Sequence, residues 1–199
     1  MRCLRRMYGA GATAVPPGLS CFPRQIGGCV ARASPVRDNL SGIEDGVAVL
    51  NALAITVLIF VSTDCPVSNR YAPEITRLYD EFTPRGVRFR LVYPNPLDDE
   101  SAISRHRLPF GYPPIAERDR DHSLVRAAGA TITPEAVIVD ERQRVVYRGR
   151  IDDRFVELSR ERPAPTQHDL RNAMTAVLAG TPVSPSQTQA VGCFIADMK

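Results

Sequence analysis

The sequence predicts an α/β domain: a central mixed β-sheet flanked by helices on both faces. Three observations predict it. From about Ile43, short apolar runs rich in Val and Ile alternate with stretches of helical spacing. The early runs are separated by helix-length connections, which suits parallel crossovers. The late runs, residues 135–140 and 145–148, are separated only by Glu141-Arg142-Gln143 and read as an antiparallel hairpin.

Taken in order, residues 47–53 form a short apolar segment and residues 54–62 a buried strand. After Pro66, Tyr71, Ile75, Leu78, Tyr79 and Phe82 recur on one helical face, with Asn69, Arg70, Glu74, Arg77, Asp80 and Glu81 on the others. Pro73 fits near the start of that helix or as a kink, and Pro84-Arg85-Gly86 ends it. Residues 87–93 are a second strand, closed by Pro94-Asn95-Pro96. A helix near residues 98–108 follows, then a proline-broken loop over 109–114, then a short helix over 122–128 expected to be capped by Asp121. The hairpin comes next. Thr166 or Asp169 opens a last helix with Leu170, Met174, Val177 and Leu178 on one face and Gly180 at its end. Residues 181–199 are rich in Pro, Ser and Thr until Ala190-Val191-Gly192-Cys193-Phe194-Ile195.

The formal charge of +3 conceals an asymmetry: residues 1–37 hold six arginines and no acid, leaving 3 − 6 = −3 for the rest. Residues 1–40 read as a basic, disordered leader and residues 41–199 as a single domain with a C-terminal tail. The leader lacks the uninterrupted apolar core of a secretory signal, because Pro16-Pro17 stops the run from Ala10. Its Arg-rich, acid-free composition also fits an organelle transit peptide, and an extracytoplasmic bacterial setting is favoured over the cytoplasm. Arginine is spread along the whole chain without aromatic interleaving, so no nucleic-acid footprint is expected. No stretch is apolar for 18 residues, and no transmembrane segment is expected. Of five cysteines, Cys3, Cys21 and Cys29 lie in the leader, leaving Cys65 and Cys193 for the domain.

Cys65 ends the first strand and precedes Pro66 at a helix start, where free N–H groups and the helix dipole favour an anion. An ordinary thiol with a pKa near 8.5 is only about 3% thiolate at pH 7, and a helix mouth raises that fraction. Asp64 opposes the effect if its carboxylate faces the sulfur, and Arg70 would offset it. Cys65 is therefore either a reactive nucleophile or a buried core cysteine.

Asp64-Cys65-Pro66-Val67-Ser68-Asn69-Arg70-Tyr71, Thr133-Pro134-Glu135-Ala136 and the segment from Tyr147 to Arg154 together resemble the thioredoxin-like superfamily. The similarity is greatest to its bacterial redoxin, peroxiredoxin-like branch related to AhpC/TSA proteins. It covers roughly residues 40–195. It implies a thioredoxin-like fold in which Cys65 is the attacking cysteine and Thr133-Pro134 a cis-proline loop. Pro66, Ser68, Asn69, Arg70, Thr133 and Pro134 would border the substrate. The implied activity is thiol–disulfide oxidoreduction on a protein or low-molecular-weight thiol or disulfide, without a cofactor.

Ser68 stands where a Cys-x-x-Cys motif has its second cysteine, so a mixed disulfide cannot be resolved within the motif. It also occupies the position of the peroxide-reactive cysteine of peroxiredoxins. The Pro-x-x-x-Thr-x-x-Cys pattern is not met around Cys65, since Leu58 and Ser62 replace its proline and threonine. Cys193 is expected either to resolve Cys65, from a tail flexible enough to fold back or from the second chain of a homodimer, or to pack as an apolar residue with Phe194 and Ile195. The alternatives are a peroxidase, a copper-binding assembly factor using Cys65 with His106, His122 or His168, and a non-catalytic interaction module. No resident metal is assigned. Asp152-Asp153, beside Arg150 and Arg154, reads either as a solvated ion-pair cluster or as a substrate-orienting group.

Overall fold

A computed structural model describes residues 55–195; the 1–40 leader, the 47–53 segment, Cys3, Cys21 and Cys29 lie outside them. In chain order the elements are β1 (Thr56–Phe60), α1 (Pro66–Phe82), β2 (Arg88–Tyr93), α2 (Glu100–Phe110), β3 (Ala116–Arg118), α3 (Ser123–Ala128), β4 (Ile132–Thr133), β5 (Glu135–Val139), β6 (Val145–Gly149), β7 (Phe155–Glu157), β8 (Arg160–Glu161), α4 (Asp169–Leu178) and β9 (Cys193–Phe194).

The main sheet runs β3-β2-β1-β5-β6. β1, β2 and β3 are mutually parallel, and β5 runs antiparallel to both β1 and β6. The sheet is therefore mixed, for the reasons visible in the sequence. A helix returns the chain from β1 to a parallel β2, whereas a five-residue turn returns it from β5 to an antiparallel β6.

Strand periodicity explains why both faces are covered. Val57 and Ile59 of β1, Phe89 and Leu91 of β2, and Ala136 and Ile138 of β5 point to one side, where they meet Tyr71, Ile75, Leu78 and Phe82 of α1 and Leu170 and Met174 of α4. The alternate residues Leu58, Phe60, Val92, Val137 and Val139 meet Val125 and Ala128 of α3 on the other. Successive side chains alternate between faces, so a strand covered on both sides is apolar on both, as β1 is from Val57 to Phe60 and β5 from Ala136 to Val139.

Local chemistry sets the helix ends. Pro66 occupies the first position of α1, where a missing N–H costs nothing. Pro73 lies inside that helix, which continues through it to Phe82. Asp99 caps α2 by accepting from Ala102 N at 2.6 Å. The expected cap of α3 is corrected. Asp121 accepts only a long 3.4 Å bond from Ser123 N, whereas buried Asp119 accepts from Leu124 N (3.2 Å), Val125 N (2.9 Å) and Ser123 Oγ (3.1 Å). His122, at φ 55°, turns the chain so that the earlier aspartate faces the helix mouth.

Asp169 does stand in the first turn of α4, where it accepts from Arg150 Nε at 2.7 Å. Three short pairings were not foreseen: β3 on the sheet edge, the β7–β8 pair, and β4 with β9. No helix of the described residues is long and apolar enough to cross a membrane.

Candidate functional site

Cys65 leaves the end of β1 through the turn Ser62-Thr63-Asp64 and stands at the N-terminal cap of α1, fully buried. Its thiol donates to Thr133 O at 3.0 Å. The Thr133–Pro134 peptide is cis. On the other side of Thr133, β4 pairs antiparallel with β9 so that Thr133 stands opposite Cys193, and Thr133 Oγ1 donates to Cys193 O at 3.3 Å. Two cysteines 128 positions apart in sequence therefore converge on one carbonyl segment.

The electrostatics of the pair are asymmetric. Burial alone would push the Cys65 thiol up. It is outweighed by donors to the sulfur from the Cys193 thiol, Ser68 N–H and O–H, and Cys193 N–H, and the net direction is down. Cys193 moves the opposite way. Burial, its hydrogen bond to Cys65, and the charges of Cys65 and Asp64 push it up to about 12. The two thiols are therefore shifted in opposite directions, Cys65 down and Cys193 up. Both are free thiols.

Ser68 is wholly buried beneath Cys65, and its carbonyl accepts from Tyr112 Oη at 2.6 Å, which fixes the first turn of α1. The remaining sequence candidates turn elsewhere. Arg70 pairs with Glu161 and offers Cys65 no positive charge, contrary to expectation. Asn69 Oδ1 accepts from His106 Nε2 at 2.7 Å, leaving His106 Nδ1 to accept from Tyr93 Oη at 3.1 Å. Burial holds His106 below its ordinary value against the pull of Asp98 and Asp64, so the ring is neutral at pH 7.

With both ring nitrogens engaged, His106 has no lone pair to lend a metal at Cys65, and His122 Nε2 is held at 2.7 Å by Pro94 O. Among the described residues, Glu74, Asp152 and His168 are the metal-ligating side chains that converge, each offering an atom within 4.8 Å of the others, and Cys65 is not among them. Asp152 is already committed there, accepting from Tyr71 Oη at 2.6 Å and Arg154 N at 2.9 Å.

Asp152 and Asp153 require a correction: both are buried rather than solvated, and neither faces the sulfurs. Asp153 accepts from Thr166 N, Thr166 Oγ1 and Gln167 N at 2.5–2.9 Å, latching the approach to α4. The tail also differs from the flexible one expected. Ser186 O accepts from Arg148 N and Arg148 O from Thr188 N, both at 3.0 Å, and Ile195 N donates to Thr131 O at 3.0 Å. Gly192 was missed as a site residue, although it directly precedes Cys193. A side chain on it would reach within 2.0 Å of Thr133 O, the atom that accepts from Cys65.

Residues 44–148 match the AhpC/TSA family, over half of the chain. The chain belongs to the AhpC/TSA family. Its fold is thioredoxin-like, as the sequence resemblance implied. Among solved structures, this AhpC/TSA protein is similar to an uncharacterized conserved protein from Geobacillus kaustophilus, at 31% identity and a TM-score of 0.63, over 71% of this chain and 76% of that one. It is also similar to a hypothetical protein from Sinorhizobium meliloti 1021, at 25% identity and a TM-score of 0.62, over 73% and 81%. A secreted Mycobacterium tuberculosis disulfide oxidoreductase homologous to E. coli DsbE matches at 16% identity and a TM-score of 0.45, over 62% and 81%. No curated protein matches the chain.

Proposed function

We propose that this AhpC/TSA-family protein is a thiol–disulfide oxidoreductase whose working pair is Cys65 and Cys193. Cys65 is the thiolate that attacks to close the pair and leaves when it is reduced, and Cys193 is the second sulfur. The observation that carries the reading is the meeting of the two cysteines at Thr133, whose carbonyl accepts from the Cys65 thiol while its strand partner across β4–β9 is Cys193. Membership of a thiol-based redox family supports the same reading at a coarser level.

In the cycle, the two thiols transfer two electrons and two protons to an external disulfide. The Sγ–Sγ bond closes and the external disulfide leaves as two thiols; the reverse exchange reopens the pair. Ser68 contributes as a donor that stabilises the Cys65 thiolate, in the place where a dithiol motif would carry its second sulfur. Thr133 aligns both sulfurs through its backbone. No metal or organic cofactor enters the exchange.

Mild oxidation of the reduced full chain with glutathione disulfide, followed by non-reducing peptide mapping, tests this. The expected product is a Cys65–Cys193 link, lost in Cys65→Ser and in Cys193→Ser. An unlinked pair after such treatment would leave a non-catalytic module as the better reading.

A further inference from the structure

The two sulfurs differ in what they face. Cys65 is fully enclosed by protein, while Cys193 is partly exposed. A cavity of ≈ 400 Å³ opens beside the pair, with Cys193, Thr133, Asp64, Leu97 and Phe194 in its wall; Cys65 does not line it. Cys193 thus lines the cavity, and its strand partner Thr133 carries the carbonyl that Cys65 meets.

The stretch of backbone ahead of cis-Pro134, against which an extended polypeptide would pair, is already paired. β9 of the same chain occupies it, with Ile132 opposite Phe194 and Thr133 opposite Cys193. β9 is also locked from both ends. Ile195 N donates to Thr131 O, and the Gly192 backbone lies so close to Thr133 O that a methyl group would not fit.

We infer that exchange with the outside takes place at Cys193, from this cavity, and that the external reactant is a low-molecular-weight thiol or disulfide rather than a polypeptide strand. This rests on the Cys65–Cys193 pair proposed above. In the oxidised protein an external thiolate attacks Cys193 Sγ. A new external-S–Sγ193 bond forms, the Sγ193–Sγ65 bond breaks, and its electron pair leaves with Cys65 as a thiolate. A second external thiolate then attacks the external sulfur, releasing a small disulfide and the Cys193 thiolate, which takes a proton from water. The protein has gained two electrons and the two external thiols have lost them.

The environment suits that polarity. A disulfide breaks fastest toward the sulfur that is the better thiolate, and the donors around Cys65 make it that sulfur. Attack on Cys65 itself would have to come from the protein interior.

The test uses the oxidised full chain, reduced glutathione as probe, acid quenching at short times, and peptide mass mapping. The expected early species carries glutathione on Cys193 with Cys65 free. Glutathione on Cys65 would overturn the assignment while leaving the redox pair intact, whereas absence of the Cys65–Cys193 disulfide from the starting material would sink the pair itself. In a second arm, an unfolded reduced polypeptide bearing one cysteine replaces glutathione. Displacing two ladder bonds of β9 should slow its reaction by about thirtyfold per thiolate. An equal or faster polypeptide reaction would overturn the small-molecule assignment.

Discussion

Ser68 is two things at once: a missing sulfur and a hydrogen-bond donor. Hydrogen bonding from its N–H and hydroxyl lowers the Cys65 pKa, as does that from the Cys193 thiol. Replacing the hydroxyl removes one of these without opening a large void. Ser68→Ala is expected to move the Cys65 pKa upward, toward that of an ordinary thiol. The ultraviolet absorbance of the thiolate, titrated against pH, reads this directly. The rate of exchange should follow, rising with pH and levelling off at a higher pH in the variant than in the parent. Titrations that coincide would show that the hydroxyl does not bear on the sulfur. Asn69 and Arg70, next to Ser68 in sequence, have no such role, because one is held by His106 and the other by Glu161.

At the level of elements, the site depends on β9, a two-residue strand. Its position is set by neighbours on both sides. Thr188 Oγ1 stands 2.8 Å from Tyr147 Oη and accepts from Arg150 N at 3.1 Å, and Gly149, at φ 150°, lets the Thr188 backbone approach where a side chain would collide. Gly192 then brings the chain against Thr133. Gly192→Ala is expected to displace β9 from β4 and separate the sulfurs. Disulfide closure should slow on the order of tenfold to a hundredfold, since reacting groups misplaced by about 1 Å lose rates of that size. Quenched alkylation during oxidation by glutathione disulfide measures it. An unchanged closure rate would show that the two sulfurs meet without the close approach of Gly192.

For the molecule as a whole, the buried acids bear on stability rather than on redox chemistry. Burial works against the Asp153 carboxylate, but donors from Thr166 and Gln167 and the nearby Arg162 outweigh it and hold its pKa at about 2, against 3.8 ordinarily. A carboxyl depressed in the folded state binds its proton more weakly there than in the unfolded chain. Its contribution is present above the unfolded value and disappears as pH falls from about 4 toward about 2. That contribution is on the order of 2 kcal/mol. Asp153→Asn should therefore lower stability at neutral pH by about that amount and flatten the loss across that acid window, as urea denaturation at several pH values would show.

Much of this architecture was legible in the order of residues. The unbroken apolar run at residues 57–61 suits a strand covered on both faces, and the spacing of Tyr71, Ile75, Leu78 and Phe82 suits a helix facing a core. Those are local, repetitive signals, and every residue in them votes for the same answer. The position of Cys65 at a strand end before Pro66 was local too, as was the absence of a second thiol at Ser68. Pairings of two or three residues carry no periodicity, which is why β3, β4, β7, β8 and β9 left no signal. Nor does a sequence reveal which carboxylate caps α3, or that Asp152 and Asp153 turn inward, because those outcomes depend on partners far along the chain.

By itself, then, the sequence determined the α/β class, the thioredoxin-like arrangement and the identity of the two thiols in the domain. Only the tertiary structure decided that Cys65 and Cys193 meet at Thr133, that Cys193 and not Cys65 lines the cavity, and that the segment beside cis-Pro134 is already filled. The physical reason is range. Periodicity and capping act over a few residues, whereas 128 positions separate the two cysteines, and only the packing of the whole sheet brings β9 back to the mouth of α1.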